Sequence, residues 1–218
     1  MKEQKKEKKM EESLTSLTNK ESKIWKKIKP QYGVPMLVGI PGISKSSILE
    51  SIAEKKGMQY KVFSLSTIDE TDLGLFPSVS KSGYVDFLPH RWVKEVNETP
   101  TLVHFEELNR CSSNIRNAAL RILLERSVGK EVLNNNVYLV ASGNPVSDYD
   151  SDVEIIGTAL KNRLIPINFE ISYEEWKQNY AIPQGINQYI LQYLDCLNFD
   201  YKDIIKLLAG KNNMKEKM

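Results

Sequence analysis

Between Gly39 and Ser47 the chain reads GIPGISKSS, a run of small residues ending in a lysine and two hydroxyls. The run follows the GxxxxGK[ST] template of phosphate-binding loops: Gly39 opens it, Lys45 and Ser46 close it, and Ser44 takes the place of the second glycine. Backbone N–H groups of residues 42–46 can converge as an anion nest, and the helix start beside them adds a partial positive charge. Lys45 brings a full charge to the outer phosphates of a nucleotide, and the Ser46 hydroxyl can ligate Mg²⁺. Gly39, Pro41, Gly42, Ile43, Ser44, Lys45, Ser46 and Ser47 are therefore the candidate nucleotide-binding residues. Serine at 44 matters only if its backbone needs φ > 0 or approaches the phosphate closely. Being small, it is expected to weaken the loop geometry rather than block the pocket. A Gly-rich strand-to-helix turn without a ligand is the plain alternative for this motif taken alone.

Three further stretches supply chemistry that such a loop lacks. TLVHFEELNR carries an apolar run into Glu106 and Glu107. One carboxylate can hold the water shell of Mg²⁺, and its neighbour can orient or deprotonate an attacking water. Strand alternation would send the two to opposite sides, so the pair belongs where the strand gives way to a loop. VYLVASGNP ends another apolar run in Ser142, Gly143, Asn144 and Pro145. The Asn144 amide could hydrogen-bond a terminal phosphate or the attacking water, although Asn-Pro is also an ordinary strand-exit turn. In TALKNRLIPINFE, Arg163 lies where a helix meets the last strand. It is either a finger that neutralises transferring phosphate charge or a surface ion-pair partner.

These groups need a scaffold that brings strand tips together. PMLVGI (35–40), YKVFSLS (60–66), TLVHFEE (101–107), VYLVASG (137–143) and LIPINFE (164–170) read as strands, mostly continuous apolar runs suited to burial on both faces. Helical patterns alternate with them. In SSNIRNAALRILLERSVG, Ile115, Ala118, Ala119, Ile122 and Leu123 recur on one helix face, with Ser112 or Ser113 able to cap the start and Gly129 to close the end. Such alternation predicts an α/β fold, a mostly parallel five-stranded sheet between helical layers. Residues 67–92 interrupt it with Gly74, Pro77, Gly83 and Pro89 and read as an inserted loop or hairpin. The expected organisation is a charged Lys/Glu-rich leader over 1–29, a nucleotide-binding α/β domain over 30–170, and a short helical segment over 171–218.

Bulk composition narrows the classes. The chain has 218 residues, 41% hydrophobic and 27% charged, as expected of a globular domain with a small appendage. A net charge of +2 selects neither nucleic acid nor an acidic surface. The basic leader is a solvated, partly helical segment or a nucleic-acid or partner arm, but its lysines meet no stacking aromatic before Trp25. Two distant cysteines, Cys111 and Cys196, favour neither a disulfide framework nor a Cys-rich zinc site and fit a reduced, cytoplasmic setting. No apolar run reaches the roughly 20 residues of a membrane span, and no signal peptide is recognisable.

Taken in order from about residue 33 to 180, the set resembles the MoxR-like branch of the AAA+ ATPases, the group that shares its ATPase module with dynein-related domains. GIPGISKSS stands as Walker A and FEELNR in place of the usual DELNR Walker B. VASGNP is similar to sensor 1 and ALKNRL to the arginine-finger segment. IDETDLGLFP with GYVDFLPHRW resembles the insert of this branch, and LLERSVGKEVLNNNVYLVA its hairpin ahead of sensor 1. The resemblance implies that Lys45 and Ser46 bind ATP and Mg²⁺, with Glu106 on the metal side and Glu107 as catalytic base. It further implies that Asn144 is sensor 1 and that Arg163 acts in trans within a homo-oligomeric ring, usually a hexamer. Ser44, Glu106 in place of Asp, and the lack of any arginine after Ile171 depart from the pattern. The lid's second sensor arginine is thus missing, and the helical lid is expected to be short.

The leading expectation is an ATP-hydrolysing motor or chaperone that remodels a protein client, with the insert over 67–92 as the candidate client contact; its aromatics Phe76, Tyr84, Phe87 and Trp92 either make that contact or pack on the core, and Trp92 is expected in the core. A nucleotide-binding scaffold with weak hydrolysis, or a nucleic-acid-linked ATPase, are the alternatives.

Overall fold

The computed structural model describes residues 17–28, 33–74, 76–79, 81, 83–88, 90–145, 164–183 and 185–196. The chain divides into two compact units, Met1–Phe169 and Glu170–Met218.

In the first unit, helix α1 (Asn19–Ile28) precedes strand β1 (Val34–Val38), and helix α2 (Lys45–Lys55) leads to β2 (Gln59–Ser64). A one-turn 3-10 helix (Glu70–Leu73) and the hairpin β3 (Phe76–Val79) and β4 (Val85–Leu88) follow. Next come α3 (Arg91–Glu98), β5 (Thr101–Glu106) and α4 (Ser113–Glu125). The small hairpin β6 (Ser127–Val128) and β7 (Glu131–Val132) precedes β8 (Val137–Gly143), and β9 (Leu164–Asn168) ends the unit.

Five strands form one parallel sheet in the order β2-β5-β8-β1-β9. This is the three-layer α/β arrangement of P-loop NTPases. The strand pairing expected from the apolar runs is present, each strand a few residues shorter than its run or equal to it. After β1 the chain crosses to the far edge at β2 and returns through β5 and β8, so the carboxyl ends of β1, β5 and β8 lie side by side. That is where ligands of open α/β sheets bind.

Alternation along the strands assigns the two faces. Met36, Val103, Phe105, Leu139 and Ala141 join a core cluster with Trp92, Val93 and Val96 of α3 and Ala119, Ile122 and Leu123 of α4. Phe63 anchors this side, edge-on to Trp92 at 5.0 Å and stacked on Phe105 at 5.5 Å between ring centroids. Leu37, Leu102 and Val140 point the other way. On that face Tyr138 meets Trp25 of α1 at 5.0 Å, and α2 buries Leu49, Ile52 and Ala53.

The last part of the Lys-rich start is integral to this core. Helix α1 buries Ile24, Trp25 and Ile28, each at most 2% exposed. A capping box starts it: Thr18 N–H donates to Glu21 Oε2 at 2.7 Å and Glu21 N–H to Thr18 Oγ1 at 3.2 Å. The buried Glu21 carboxylate then takes Lys55 and Ser51 of α2, at 2.8 Å each. Burial pushes the Glu21 carboxyl up, but the hydrogen bonds from Lys55, Thr18 and Ser51 outweigh it and leave the group below its ordinary value.

Helix α4 starts as expected, with Ser112 Oγ accepting from Ile115 N–H at 3.4 Å. Its end corrects the sequence reading. The chain leaves α4 at Arg126, which takes the left-handed conformation (φ 51°) and donates its N–H to the Ile122 carbonyl. Gly129 (φ 61°) instead makes the turn between β6 and β7. The Arg126 guanidinium explains the exchange: it reaches the carbonyls of Asn134 at 2.9 Å and Val137 at 2.7 Å, which holds a non-glycine residue in that backbone region.

Within residues 67–92 the hairpin is present, and α3 already begins at Arg91. Trp92 is buried, whereas Val79, Tyr84, Val85 and Leu88 of the hairpin are exposed. Among the described residues no helix is long and apolar enough to cross a membrane.

The second unit is helical over its described part. Ser172 and Glu175 form a capping box at the start of α5 (Tyr173–Trp176), which runs into a π-helical turn (Lys177–Ala181). Helix α6 (Gln188–Cys196) is tied back by Asp195, which accepts from Tyr173 Oη at 2.9 Å and Lys177 Nζ at 2.6 Å. Residues 197–218 of the helical segment expected over 171–218 lie outside the described residues.

Candidate functional site

Strand β1 ends at Val38, and the loop to α2 is held in place by the strands beside it. Gly39 N–H donates to the Gly143 carbonyl at 3.2 Å. A Cβ at Gly39 would stand 2.5 Å from the Phe169 carbonyl oxygen, so the first motif position admits only glycine without a backbone shift. Ile43 is buried beneath the loop. Gly42 (φ 78°) and Ser44 (φ 65°, ψ 35°) are left-handed. Serine at 44 therefore sits where glycine is preferred, and the second glycine of the motif is missed on backbone grounds. The Ser44 side chain caps none of the N–H groups that open α2.

Lys45 folds back over its own loop. Its Nζ donates to the carbonyls of Gly39 at 2.6 Å and Ile40 at 2.9 Å, and to Asn144 Oδ1 at 3.2 Å. Burial pulls the ammonium down to about 8, against the opposing pull of Glu106 and Glu107. Ser46 Oγ donates to Glu106 Oε1. Glu106 is the last residue of β5, and Glu107 takes φ 59° just past it. The strand thus gives way to a turn between the two carboxylates, which lets both face one cleft. Two bonds hold that turn: Leu108 N–H donates to the Ser142 carbonyl and Arg110 N–H to the Glu107 carbonyl, both at 2.9 Å. The Arg110 guanidinium stands 3.9 Å from the Glu107 carboxylate.

A cleft of about 310 Å³ gathers these groups. It is lined by Pro41, Gly42, residues 44–47, Glu106, Glu107 and residues 142–144. Gly39 and Ile43 shape the loop without lining the cleft. Arg163 lies outside the described residues, so its position relative to the cleft is not described.

Two features of the site were invisible in the motif reading. Asn109 brackets the backbone of Asn144: its Nδ2 donates to the Asn144 carbonyl at 2.7 Å, and Asn144 N–H donates to its Oδ1 at 3.0 Å. Gly143 makes room for this, since a Cβ there would lie 2.5 Å from Asn109 Oδ1. The pair is separated by 35 residues, and only the position of Asn109 just beyond the acidic pair hinted at a role. The second feature is His104, fully buried on β5, with Nδ1 2.8 Å from Tyr60 Oη and Nε2 2.8 Å from Ser142 Oγ. Burial, together with the Lys45 charge, pulls its imidazole down to about 3, so it is neutral. A lone histidine in an apolar run carries no signal that would reveal such partners.

The donor set fits a magnesium nucleotide. Buried Asn144 Nδ2 has no hydrogen-bond partner among the described residues, an orphan donor at the cleft wall. Lys45 supplies positive charge, the uncapped start of α2 supplies N–H groups, and Ser46 with Glu106 offers the oxygen pair that Mg²⁺ takes. Among the described residues there is no cluster of three or more His, Cys, Asp or Glu side chains to hold a metal by itself.

No family model matches the chain, and no curated protein matches it. Among solved structures it is similar to the crystal structure of "a putative ATPase from Cytophaga hutchinsonii", at 17% identity and a TM-score of 0.47. The match covers 84% of this chain and 60% of that one, so the chain spans less than two thirds of that protein's length.

Proposed function

We propose that the chain binds and hydrolyses ATP as a MoxR-like AAA+ ATPase. One observation carries the reading. Lys45 of the loop reaches Asn144 at the tip of β8 while Ser46 reaches Glu106 at the tip of β5, so three separate strand ends serve one cleft.

In this reading the loop and the start of α2 seat the phosphates, and Lys45 exchanges its carbonyl partners for phosphate oxygens. Mg²⁺ held by Ser46 and Glu106 would neutralise charge on the outer phosphates. Glu107 orients a water for in-line attack on the γ-phosphorus and accepts its proton. As the new P–O bond forms, the bond from the γ-phosphorus to the β–γ bridging oxygen breaks, leaving ADP and phosphate. Asn144 Nδ2, rigid because Asn109 clamps its backbone, donates to the γ-phosphate or to that water.

The same reading makes the working particle a homo-oligomeric ring, with Arg163 contributed to a neighbouring copy's nucleotide. The client is a protein, contacted by the hairpin of residues 76–88, whose Val79, Tyr84, Val85 and Leu88 are exposed. A scaffold that binds ATP and turns it over slowly is the second reading. The left-handed Ser44 favours it, because strain at the phosphate loop works against a tight cradle.

Steady-state ATPase assays and particle mass, each with and without Mg·ATP, test the proposal. Turnover that is lost in Glu107→Gln while ATP binding persists, with a nucleotide-dependent rise in mass, supports a ring motor. Binding without turnover at assembling concentrations supports the scaffold.

A further inference from the structure

Among the described residues, strands β3 and β4 pair only with each other, so each turns one edge away from its partner. The two edges differ. Pro77 is in register with Phe87 and has no N–H to give, so theirs is a non-hydrogen-bonded pair of the ladder. The backbone groups of Pro77 and Val79 therefore point off the β3 edge, and those of Val85 and Phe87 off the β4 edge. Proline blunts the first edge, one of the ways in which sheet proteins guard an exposed strand. The second edge keeps N–H and C=O at both Val85 and Phe87, a complete template for another strand. Beside it Pro77, Val79 and Val85 share one exposed face of the hairpin. A second copy of β4 fits this template badly. Pairing Val85 with Phe87 in both directions brings Asp86 directly opposite its own copy, and like charges directly opposite are destabilising. A basic residue at that position is matched instead.

We propose that β4 takes up an extended segment of the protein client as an added antiparallel strand, with apolar residues in register with Val85 and Phe87 and a lysine or arginine opposite Asp86. The N–H and C=O groups of Val85 and Phe87 attach the segment's main chain. Its alternation of apolar and basic residues supplies the selectivity, because apolar neighbours then meet the exposed face and the cation meets Asp86. The inference rests on the reading of this hairpin as the client contact and names the chemistry of the segment it takes.

The probe is the end-blocked peptide Thr-Val-Lys-Val-Thr, labelled and titrated with the full chain. Saturable binding is expected. Methylating the main-chain nitrogens of both valines removes the N–H groups that face β4 and is expected to weaken binding about tenfold. Methylating the main-chain nitrogen of the lysine, which faces away, is expected to leave binding unchanged. Glutamate in place of the peptide's lysine is expected to weaken it about fivefold. On the protein, Val85→Pro removes an outward N–H while sparing the bonds between β3 and β4, and is expected to weaken binding about fivefold. Val79→Pro, the same change on the other edge, is expected to leave binding unchanged. No binding by wild type, equal losses from the two proline variants, or equal losses from the two methylated peptides each overturn the proposal. Nucleotide-independent self-association that Val85→Pro abolishes makes a second copy the occupant and overturns it as well. Peptide binding with the expected edge pattern that leaves ATP turnover unchanged instead keeps the strand addition and overturns the client reading of the hairpin.

Discussion

Asn109 grips Asn144 by both backbone groups, donating to its carbonyl at 2.7 Å and accepting from its N–H at 3.0 Å. The strand-tip amide is therefore aimed by a buried side chain of another loop, not by its own turn. Removing the grip leaves buried Asn144 groups unsatisfied. Asn109→Ala is expected to lower stability by roughly 2 kcal/mol and turnover at least tenfold, by chemical denaturation and steady-state ATPase. Asn109→Asp keeps the acceptor and loses the donor, so it should fall between Ala and wild type. Wild-type turnover in Asn109→Ala would contradict the aiming role.

Two non-glycine residues of the cleft, Ser44 and Glu107, are left-handed, at φ 65° and 59°. Each pays backbone strain that glycine would relieve, about 1 kcal/mol apiece. Ser44→Gly is expected to raise stability by about that amount and to tighten ATP binding. Glu107→Gly should also raise stability while abolishing turnover, because it removes the carboxylate with the strain. Opposite signs for stability and activity at residue 107 distinguish a functional residue from a poorly built turn. Denaturation midpoints alongside turnover measure both.

Trp25 is buried against Tyr138, with Lys56 Nζ 5.3 Å from its ring centre. Trp25→Ala is expected to cost about 3 kcal/mol, as for other large core deletions. A loss below about 0.5 kcal/mol would show that α1 is only a solvated leader.

The Glu21 carboxyl lies below its ordinary value in the folded chain, so it binds fewer protons folded than unfolded. Its contribution is present above the unfolded carboxyl range and is lost as the pH falls through the lower folded value. Wild type should accordingly lose stability on acidification from about pH 5, using the ordinary glutamate range. Glu21→Gln should be less stable near pH 7 and should close the gap to wild type in acid. Denaturation at several pH values from 7 downward checks this, and a gap that does not narrow would contradict it.

How far the sequence disclosed all this depends on the range of each interaction. The five strands were legible because continuous apolar runs such as TLVHF are buried on both faces, and the α4 start because Ser112 caps locally. The loop of residues 39–47, the acidic pair and Asn144 could be singled out because each lies within a short motif, and most of these residues line one cleft. The burial of helix α1 was not legible, since its lysines outweigh Ile24, Trp25 and Ile28 in composition, although Thr18 and Glu21 already stood at capping-box spacing. The end of α4 was misassigned to Gly129 because the bonds that stabilise Arg126 come from residues 134 and 137 across a hairpin. The Asn109 clamp and the His104 chain join residues 35 to 44 positions apart on different strands and loops, and no local pattern encodes them.

The central claim is that a triphosphate rests between Lys45 and the tips of β5 and β8. Calorimetric titration of the full chain with Mg·ATP, beside Lys45→Ala, tests it most directly. Saturable binding of one ATP per chain that Lys45→Ala weakens at least a hundredfold is the expected result. No heat of binding by wild type, or equal affinity in the two proteins, would contradict it.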